Sequence, residues 1–363
     1  MRTALVVFIL AALAGAAHAY PQYQMSKEQS CGSCHISPVG GGLLNDYGEL
    51  TAEEESQWGG NPAFLHGAVE LPEALSVGGD VRIAAGAHER GAGLGVAAFP
   101  MQSEIYAAYA AGPITAYAIG GATVFEEGLK PWSREHWVLW QQAEGEGFYA
   151  RAGRFMPVSG LRLPEHPFMV RRYGGTPLFG EAYGVNAGYV SPGLDVHLTG
   201  FIADTLQDSI EQGDGAALYV EKRFGNKAVG LIDRYTTTDV DSRLQGGLTG
   251  KVWLEGPKLL LSAEGSAIRQ DFKLDRGPTR VQLVGQLLAT YFARPGLWID
   301  VGIGHYDEDV SLQDLDRDAV DVNVHWFPIS HLELILTNRV QTIGLGGGGD
   351  TSYFSLLQVH YRI

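Results

Sequence analysis

The sequence predicts an all-β fold, an antiparallel β-barrel of about 16 strands that follows a small N-terminal domain. From residue 75 onward, apolar and polar residues alternate in segments of about 10 to 14 residues, as in strands that have two different faces. Tight turns and longer charged loops alternate between these segments. Ahead of them, the only two cysteines of the 363 residues lie in one short motif.

Residues 1–19 have the features of a secretory signal peptide. Arg2 provides the positive start, an apolar run follows, and Ala17-His18-Ala19 forms a small-x-small cleavage site. The apolar run is too short to span a bilayer. We therefore expect export, with a mature chain that begins at Tyr20.

The cysteine motif is Cys31-Gly32-Ser33-Cys34-His35, the spacing that attaches haem c. Each thiol adds to a vinyl group of the porphyrin, and the adjacent imidazole of His35 becomes an axial ligand of the iron. A redox dithiol would instead open a helix after a strand in a βαβ unit. A zinc site would need two further Cys or His ligands at short spacing. The sequence supplies neither context, so it predicts one covalent haem c, held by Cys31 and Cys34.

Residues 20–73 form the predicted haem domain, between the signal peptide (residues 1–19) and the barrel (residues 74–363). A glycine-rich turn follows His35, and an acidic helix is predicted at residues 51–58. About fifty residues bury little apolar surface by themselves. We expect the covalent haem, or docking against the barrel, to complete the core.

The second axial ligand of the iron has several candidates. Within residues 20–73 only Met25 and His66 can serve, and we favour His66 over Met25, which is close to the attachment point. A histidine in the barrel lumen is a further alternative. Such residues are more often solvated interior groups, and the candidates are His197, His325 and His360.

The predicted strands span residues 75–88, 97–111, 112–126, 135–144, 147–157, 182–192, 194–205, 215–224, 226–237, 241–254, 257–271, 279–294, 297–308, 317–328, 331–343 and 351–363. Every second connection is a tight turn such as Gly112-Pro113 or Pro295-Gly296. The alternate connections are long and charged: residues 128–134, 204–214, 236–242, 271–279, 307–318 and 344–350. Short turns at one end and long loops at the other are typical of bacterial outer-membrane barrels. A soluble β-sandwich or propeller does not predict this asymmetry.

The last strands indicate which face of the barrel meets lipid. Residues 317–328 alternate between an apolar set (Val320, Val322, Val324, Trp326) and a polar set (Asp321, Asn323, His325). We expect the apolar set to face lipid and the polar set to face a wet lumen. Aromatic residues near strand ends would form the interfacial girdle: Trp253, Trp298, Trp326 and Tyr361.

One long loop, residues 158–181, carries a cluster of mostly cationic side chains: Arg162, Glu165, His166, Arg171 and Arg172. Such a loop can fold into the lumen, narrow it and set its charge selectivity. The alternative is a surface loop paired with acidic neighbours.

The net charge of −15 argues against nucleic acid as a partner. An acidic loop surface would instead attract cations over about 10 Å. No catalytic Ser/His/Asp set and no phosphate-binding glycine motif is recognisable in the sequence.

The layout resembles the fused outer-membrane cytochrome–porins, of which the iron-oxidising Cyc2-type cytochromes are the best-known members. The residues that carry the resemblance are Cys31 to His35, ahead of the predicted barrel. It implies a haem held in or against a barrel in the bacterial outer membrane. Electrons would pass between an extracellular donor or acceptor, such as metal ions, and periplasmic c-type cytochromes or similar carriers.

The sequence thus predicts an electron carrier and not a hydrolase or transferase. A second hypothesis is a diffusion porin whose haem domain serves as a plug or redox sensor. A third is a haem enzyme, an extracellular oxidoreductase with an open position on the iron.

Overall fold

The computed structural model describes residues 21–90, 93–125, 128–204, 213–273, 277–344 and 349–363. The predicted signal peptide lies outside these residues, as do parts of three predicted long loops, residues 205–212, 274–276 and 345–348. The helices are α1 (Pro21–Ser26), α2 (Asp46–Glu54) and α3 (Met169–Tyr173), with 3-10 turns at Cys31–Ser33 and Phe64–Gly67. Of the helices in the described ranges, none is both long and apolar enough to cross a membrane.

The strands are β1 (Leu75–Arg90), β2 (Gly93–Ala111), β3 (Ile114–Phe125), β4 (Gly128–Trp132), β5 (His136–Ala143), β6 (Glu146–Phe155), β7 (Ala182–Ser191), β8 (Leu194–Ile202), β9 (Asp214–Phe224), β10 (Lys227–Thr237), β11 (Asp241–Leu254), β12 (Leu259–Phe272), β13 (Arg280–Arg294), β14 (Leu297–Asp307), β15 (Arg317–Ile329), β16 (Leu332–Ile343) and β17 (Thr351–Arg362).

These strands form one closed antiparallel barrel. Apart from the short β4, each strand pairs with the next along the chain. At the end β17 returns to pair with β1, with Val81 opposite Tyr361. Both β4 and β5 pair with β3, so they are two parts of one strand position and the barrel has 16 positions. The predicted closed barrel is therefore confirmed.

Two local predictions were wrong. Residues 128–134, predicted as a loop, contain β4, whose Trp132 lies opposite Gly121. Pro131 lacks a backbone donor, and the segment has no clear alternation, so its pattern resembled a loop. The helix predicted at residues 51–58 begins earlier, at Asp46, because the side chain of Asn45 caps it by accepting from the Gly48 amide at 2.9 Å.

The two faces of the barrel have the predicted polarity. On β15, Val320 and Val322 are 48% and 40% exposed. Asp321, Asn323 and His325, which alternate with them, are at most 1% exposed and point into the lumen. An apolar outer surface around a polar interior reverses the arrangement of a soluble protein and is the pattern of a transmembrane barrel.

The prediction of an aromatic girdle was wrong for two of its four residues. Trp253 and Trp298 are buried and share the inward face of their strands with Lys251 and Asp300. Trp298 packs edge-on against Tyr23, with ring centroids 6.0 Å apart. Strand parity, which the sequence pattern near a strand end does not fix, places these side chains under the N-terminal segment. Trp326 and Tyr361 lie on the outward-facing positions of β15 and β17.

The N-terminal segment, residues 21–74, docks at the short-turn end of the barrel. The amides of Gln57 and Trp58 donate to the carbonyls of Phe327 and Pro328 at 2.9 and 3.0 Å. The Ser30 hydroxyl donates to the Gly145 carbonyl, in the turn between β5 and β6, at 2.8 Å. These contacts join the segment to turns that lie far apart around the rim.

The loop of residues 158–181 folds into the lumen, as one of the two sequence interpretations predicted. The Leu161 amide donates to Glu264 on β12 at 2.7 Å, and the Met169 amide donates to Gln286 on β13 at 3.2 Å. The loop therefore narrows the barrel from inside.

The outward valines of β15 provide a test of lipid contact. We expect Val322→Arg to lower the stability of the folded barrel in phospholipid vesicles by about 2–4 kcal/mol, because it places a charge in hydrocarbon. Urea titration followed by heat-modifiable migration on gels measures this. Val322→Leu is the matched control and should change stability by less than about 1.5 kcal/mol. Equal stability of the two variants would contradict a lipid-facing β15.

Candidate functional site

The cysteine–histidine motif forms a single compact turn. Cys31–Ser33 is a 3-10 helix, and the amides of Cys34 and His35 both donate to the carbonyl of Cys31, at 3.3 and 3.1 Å. Both cysteines are free thiols. The turn places Cys31, Cys34 and His35 on the wall of one cavity, so the structure brings these three predicted site residues together.

This cavity lies between the N-terminal segment and the barrel rim. The space between them, including open solvent at its mouth, is about 830 Å³. The N-terminal segment supplies Tyr23 from α1 and Thr51 from α2, while the barrel supplies Phe327 and Arg362. The cavity is thus complete only when the segment is docked.

Close backbone packing fixes the motif in place. Gly48 in α2 lies directly against the carbonyl of Cys34, where any Cβ would clash with backbone atoms. An ideal Cβ on Gly32 would lie only 3.0 Å from the Cα of Gly145. The Asn45 side chain, which caps α2, also donates to the Ser33 carbonyl at 3.2 Å. Glycine at positions 32 and 48 therefore lets the motif touch both α2 and the barrel turn.

The surroundings of His35 keep its imidazole neutral. Burial, with a smaller contribution from the Arg362 cation, lowers the pKa of His35 to about 4, although backbone groups of Gly41 and Leu43 act in the opposite direction. Its buried Nδ1 atom has no hydrogen-bond partner among the residues that the structure describes. A neutral imidazole is the form that binds a metal ion. The residue is therefore suited to coordinate iron.

The structural context of the two thiols differs from that of a redox dithiol. Burial raises the pKa of the Cys34 thiol, and the Thr51 side chain only partly offsets that effect. A redox dithiol would open a helix after a strand, whereas the preceding element here is α1. This context favours the haem-attachment interpretation of the motif over the dithiol interpretation.

The structure does not bring the favoured second axial ligand to the cavity. His66 is exposed, its Nε2 lies 2.6 Å from the Tyr361 hydroxyl, and its ring centroid is 4.0 Å from that of His331. Met25 packs instead with Trp253 inside the barrel. Neither side chain lines the cavity, so His66 as distal ligand stays a prediction that this arrangement does not support.

The lumen histidines are held by other groups. His325 lies 3.1 Å from both Asp300 and Glu333. His360 lies 2.9 Å from Asp80 and also 2.9 Å from Glu333. His197 lies 2.6 Å from the Tyr149 hydroxyl. These three histidines belong to buried networks in the lumen, and none lines the motif cavity.

The N-terminal segment meets the loop of residues 158–181, which we call the lumen loop, inside the barrel. Val39, at the tip of the glycine-rich turn, packs with Tyr117 and Tyr149 of the barrel wall. Its carbonyl accepts from the Arg162 guanidinium at 2.7 Å, and the Ser37 hydroxyl accepts from Arg151 at 3.4 Å. The turn and the loop therefore meet within the lumen, and we expect them to close it together.

The barrel side of the cavity was not found from the sequence. Phe327, Ser330 and Arg362 line it, about 300 residues from the motif along the chain. Nothing in their local pattern distinguishes them from other residues at strand ends. Only barrel closure brings them opposite the cysteines.

Comparison with solved structures places the barrel among porins. A loop-deletion mutant of OmpT, an outer membrane protein of Vibrio cholerae, matches with a TM-score of 0.64 at 12% identity, over 80% of this chain and 100% of that one. An anion-selective porin from Comamonas acidovorans matches with a TM-score of 0.60 at 15% identity, over 80% and 99%. The outer membrane channel DcaP of Acinetobacter baumannii matches with a TM-score of 0.59 at 11% identity, over 80% and 97%.

This chain therefore has a porin-like barrel fold. No protein-family model and no curated protein matches the sequence. The matched porin chains are covered almost completely by 80% of this chain.

Closure of the lumen by the glycine-rich turn can be tested at Gly42. This residue has φ +64°, and a Cβ there would collide with the Tyr117 hydroxyl, whose ring is stacked on Trp137 at 4.4 Å. We expect Gly42→Val to displace the turn, so that ion conductance in planar bilayers rises several-fold over the wild type. Gly120→Ala, where a Cβ meets open space, should leave conductance unchanged. A wild-type barrel that already conducts like an open porin would contradict the closure.

Proposed function

We propose that this protein is an outer-membrane electron-transfer protein. One covalent haem c, attached to Cys31 and Cys34, would be held at the periplasmic mouth of the porin-like barrel. It would exchange electrons with periplasmic c-type cytochromes or similar carriers on one side and with an extracellular redox substrate on the other.

The proposal depends on the position of the cavity that Cys31, Cys34 and His35 line. Both thiols and His35 line one cavity whose opposite wall is the barrel itself. The short-turn end of such barrels is periplasmic, the side on which haem c is attached. The exposed apolar face of the strands supports insertion in the outer membrane, with its lipid as the surrounding partner.

The residues of the cavity have distinct tasks in this proposal. Cys31 and Cys34 would anchor the porphyrin, and His35, neutral and buried, would coordinate the iron. Arg362, also on the cavity wall, would offer a cation to the porphyrin carboxylates. When bound, the haem supplies reversible one-electron transfer. The cavity walls would fix the orientation of the bound haem and limit its contact with water.

A haem docked in the mouth of the barrel would shorten the distance that electrons must cross through the membrane. A bilayer core is about 30 Å thick, and Tyr23 of the cavity wall packs against Trp298 inside the lumen at 6.0 Å. A haem in this cavity would thus adjoin the interior of the barrel and not only its periplasmic rim. An extracellular partner entering the lumen would then approach it more closely than from outside the membrane.

A diffusion porin with a haem-bearing plug is the second candidate. The contact of Arg162 with the Val39 carbonyl joins the N-terminal segment to the lumen loop and leaves less room for solute flow. This contact argues against free diffusion through an open lumen, and both a plug and an electron-transfer domain would make it.

Haem attachment is the first requirement of the proposal. Protein purified from a host with cytochrome c maturation should keep a haem through denaturation, seen by in-gel peroxidase staining and as one haem added to the intact mass. Cys31→Ala combined with Cys34→Ala should abolish both signals, whereas Ser33→Ala, between the two cysteines, should retain them. A wild-type chain that carries no covalent haem under these conditions would remove the basis of the proposal.

Electron transfer across the barrel can be measured in liposomes. With protein inserted, an external reductant such as dithionite should reduce an encapsulated membrane-impermeant dye at least about tenfold faster than in empty vesicles. The double cysteine variant, matched in folded amount, should show only the rate of empty vesicles. Equal rates for wild type and double variant would favour diffusion through the lumen over transfer by the haem.

A further inference from the structure

A second cavity opens at the other end of the barrel, beside the long loops. Its free volume is about 1,160 Å³, and the lumen loop forms its floor through Tyr173, Gly175 and Pro177. Five arginines line it, and we call this cavity the arginine vestibule: Arg172, Arg234, Arg243, Arg280 and Arg317.

Aromatic rings hold several of these guanidinium groups in place. Arg317 lies 5.6 Å from the ring centroid of Tyr173 and 5.5 Å from that of Tyr306, and these two rings are stacked at 3.8 Å. Arg234 lies over Phe201 at 5.0 Å. Stacking on a ring orients a guanidinium and leaves its charge uncompensated. Arginines that stack on aromatic rings and are not paired with acids keep their positive charge, and this charge faces the vestibule.

In the part of the chain that the structure describes, few acids pair with the arginines of the vestibule. Glu308 lies 2.9 Å from Arg280 and 3.5 Å from Arg317, and Asp241 lies 2.9 Å from Arg243. Within the described ranges, neither Arg172 nor Arg234 has a carboxylate within ion-pair distance.

Among the described residues, the balance of charge at the vestibule is opposite in sign to that of the whole chain. Five arginines against the two carboxylates paired with them leave an excess of about three positive charges, in a chain whose net charge is −15.

We propose that the arginine vestibule binds small anionic solutes that carry carboxylate or phosphate groups. A guanidinium presents two parallel N–H donors that match either group. Several guanidinium groups around one cavity would favour a solute with two or more negative charges over a neutral one of the same size. This proposal concerns the outer entrance and does not rest on haem attachment.

Binding can be measured directly on the full chain in a neutral detergent. Isothermal titration with citrate and with inorganic phosphate tests the two chemistries, and glycerol is the neutral control. We expect at least one of the two anions to bind, with an affinity that falls as salt rises, and glycerol not to bind. Whichever anion binds more tightly identifies the preferred group.

Paired variants locate the site. Arg172→Gln combined with Arg234→Gln should weaken anion binding at least about tenfold, because two uncompensated charges are removed. Arg269→Gln is the matched control, since that arginine is exposed on β12 beside Asp271 and outside the vestibule. The proposal is overturned if neither citrate nor phosphate binds, or if the double variant binds the anion as tightly as the wild type does.

A labelling experiment tests the local charge without altering the arginines. A cysteine introduced by Thr236→Cys, on the vestibule wall, should react at least about tenfold faster with a sulfonate-bearing methanethiosulfonate than with a trimethylammonium one. Glu54→Cys on exposed α2 provides the reference ratio. Equal ratios at the two positions overturn the proposal.

Mass spectrometry of the labelled peptides shows which cysteine has reacted, so this test can fail or succeed independently of the haem proposal. If haem is not attached, the peptide of Cys31 and Cys34 is labelled as well. The ratio at the position of Thr236 is unaffected by that outcome.

Discussion

The pairing of β17 with β1 is the constraint on which the structure depends. In a lipid bilayer each unpaired backbone N–H or C=O group costs several kcal/mol, so a sheet can cross only when it has no free edge. The register from Asp80↔Arg362 to Arg90↔Ser352 supplies that closure. It also brings the last residues of the chain to the start of the barrel, where the N-terminal segment docks.

Closure creates an interior that must accommodate many charged side chains. Removing ions from water is costly unless they are paired and hydrogen-bonded. The lumen shows such pairing: Arg134 with Glu104 at 3.0 Å, Arg339 with Asp321 at 2.7 Å and Lys251 with Glu221 at 2.8 Å. The same requirement explains why the lumen loop contributes Glu165 near His325, at 3.5 Å. Charge pairing across the lumen fixes both the loop and the wall.

Two cavities lie near opposite ends of the barrel. One contains the cysteine motif and is lined by residues of α1, α2 and β15. The other is the arginine vestibule, whose lining includes tyrosines and five arginines. The contact between Arg162 and Val39 lies between them. The two linings differ in composition, in line with our separate proposals of a porphyrin in the first cavity and a small anion in the second.

The sequence by itself determined the strands, their faces and the motif, because these depend on residues near each other in the chain. Alternation with period two fixes which side chains share a face, and turn residues fix where strands end, so β15 and β17 were predicted correctly. The sequence did not determine β4, because Pro131 obscured the alternation there. Nor did it determine that Trp253 and Trp298 face inward. Only the tertiary structure decided what lies opposite the cysteines and that five arginines share one entrance. Those neighbours are set by ring closure and strand register, which bring residues from distant parts of the chain together.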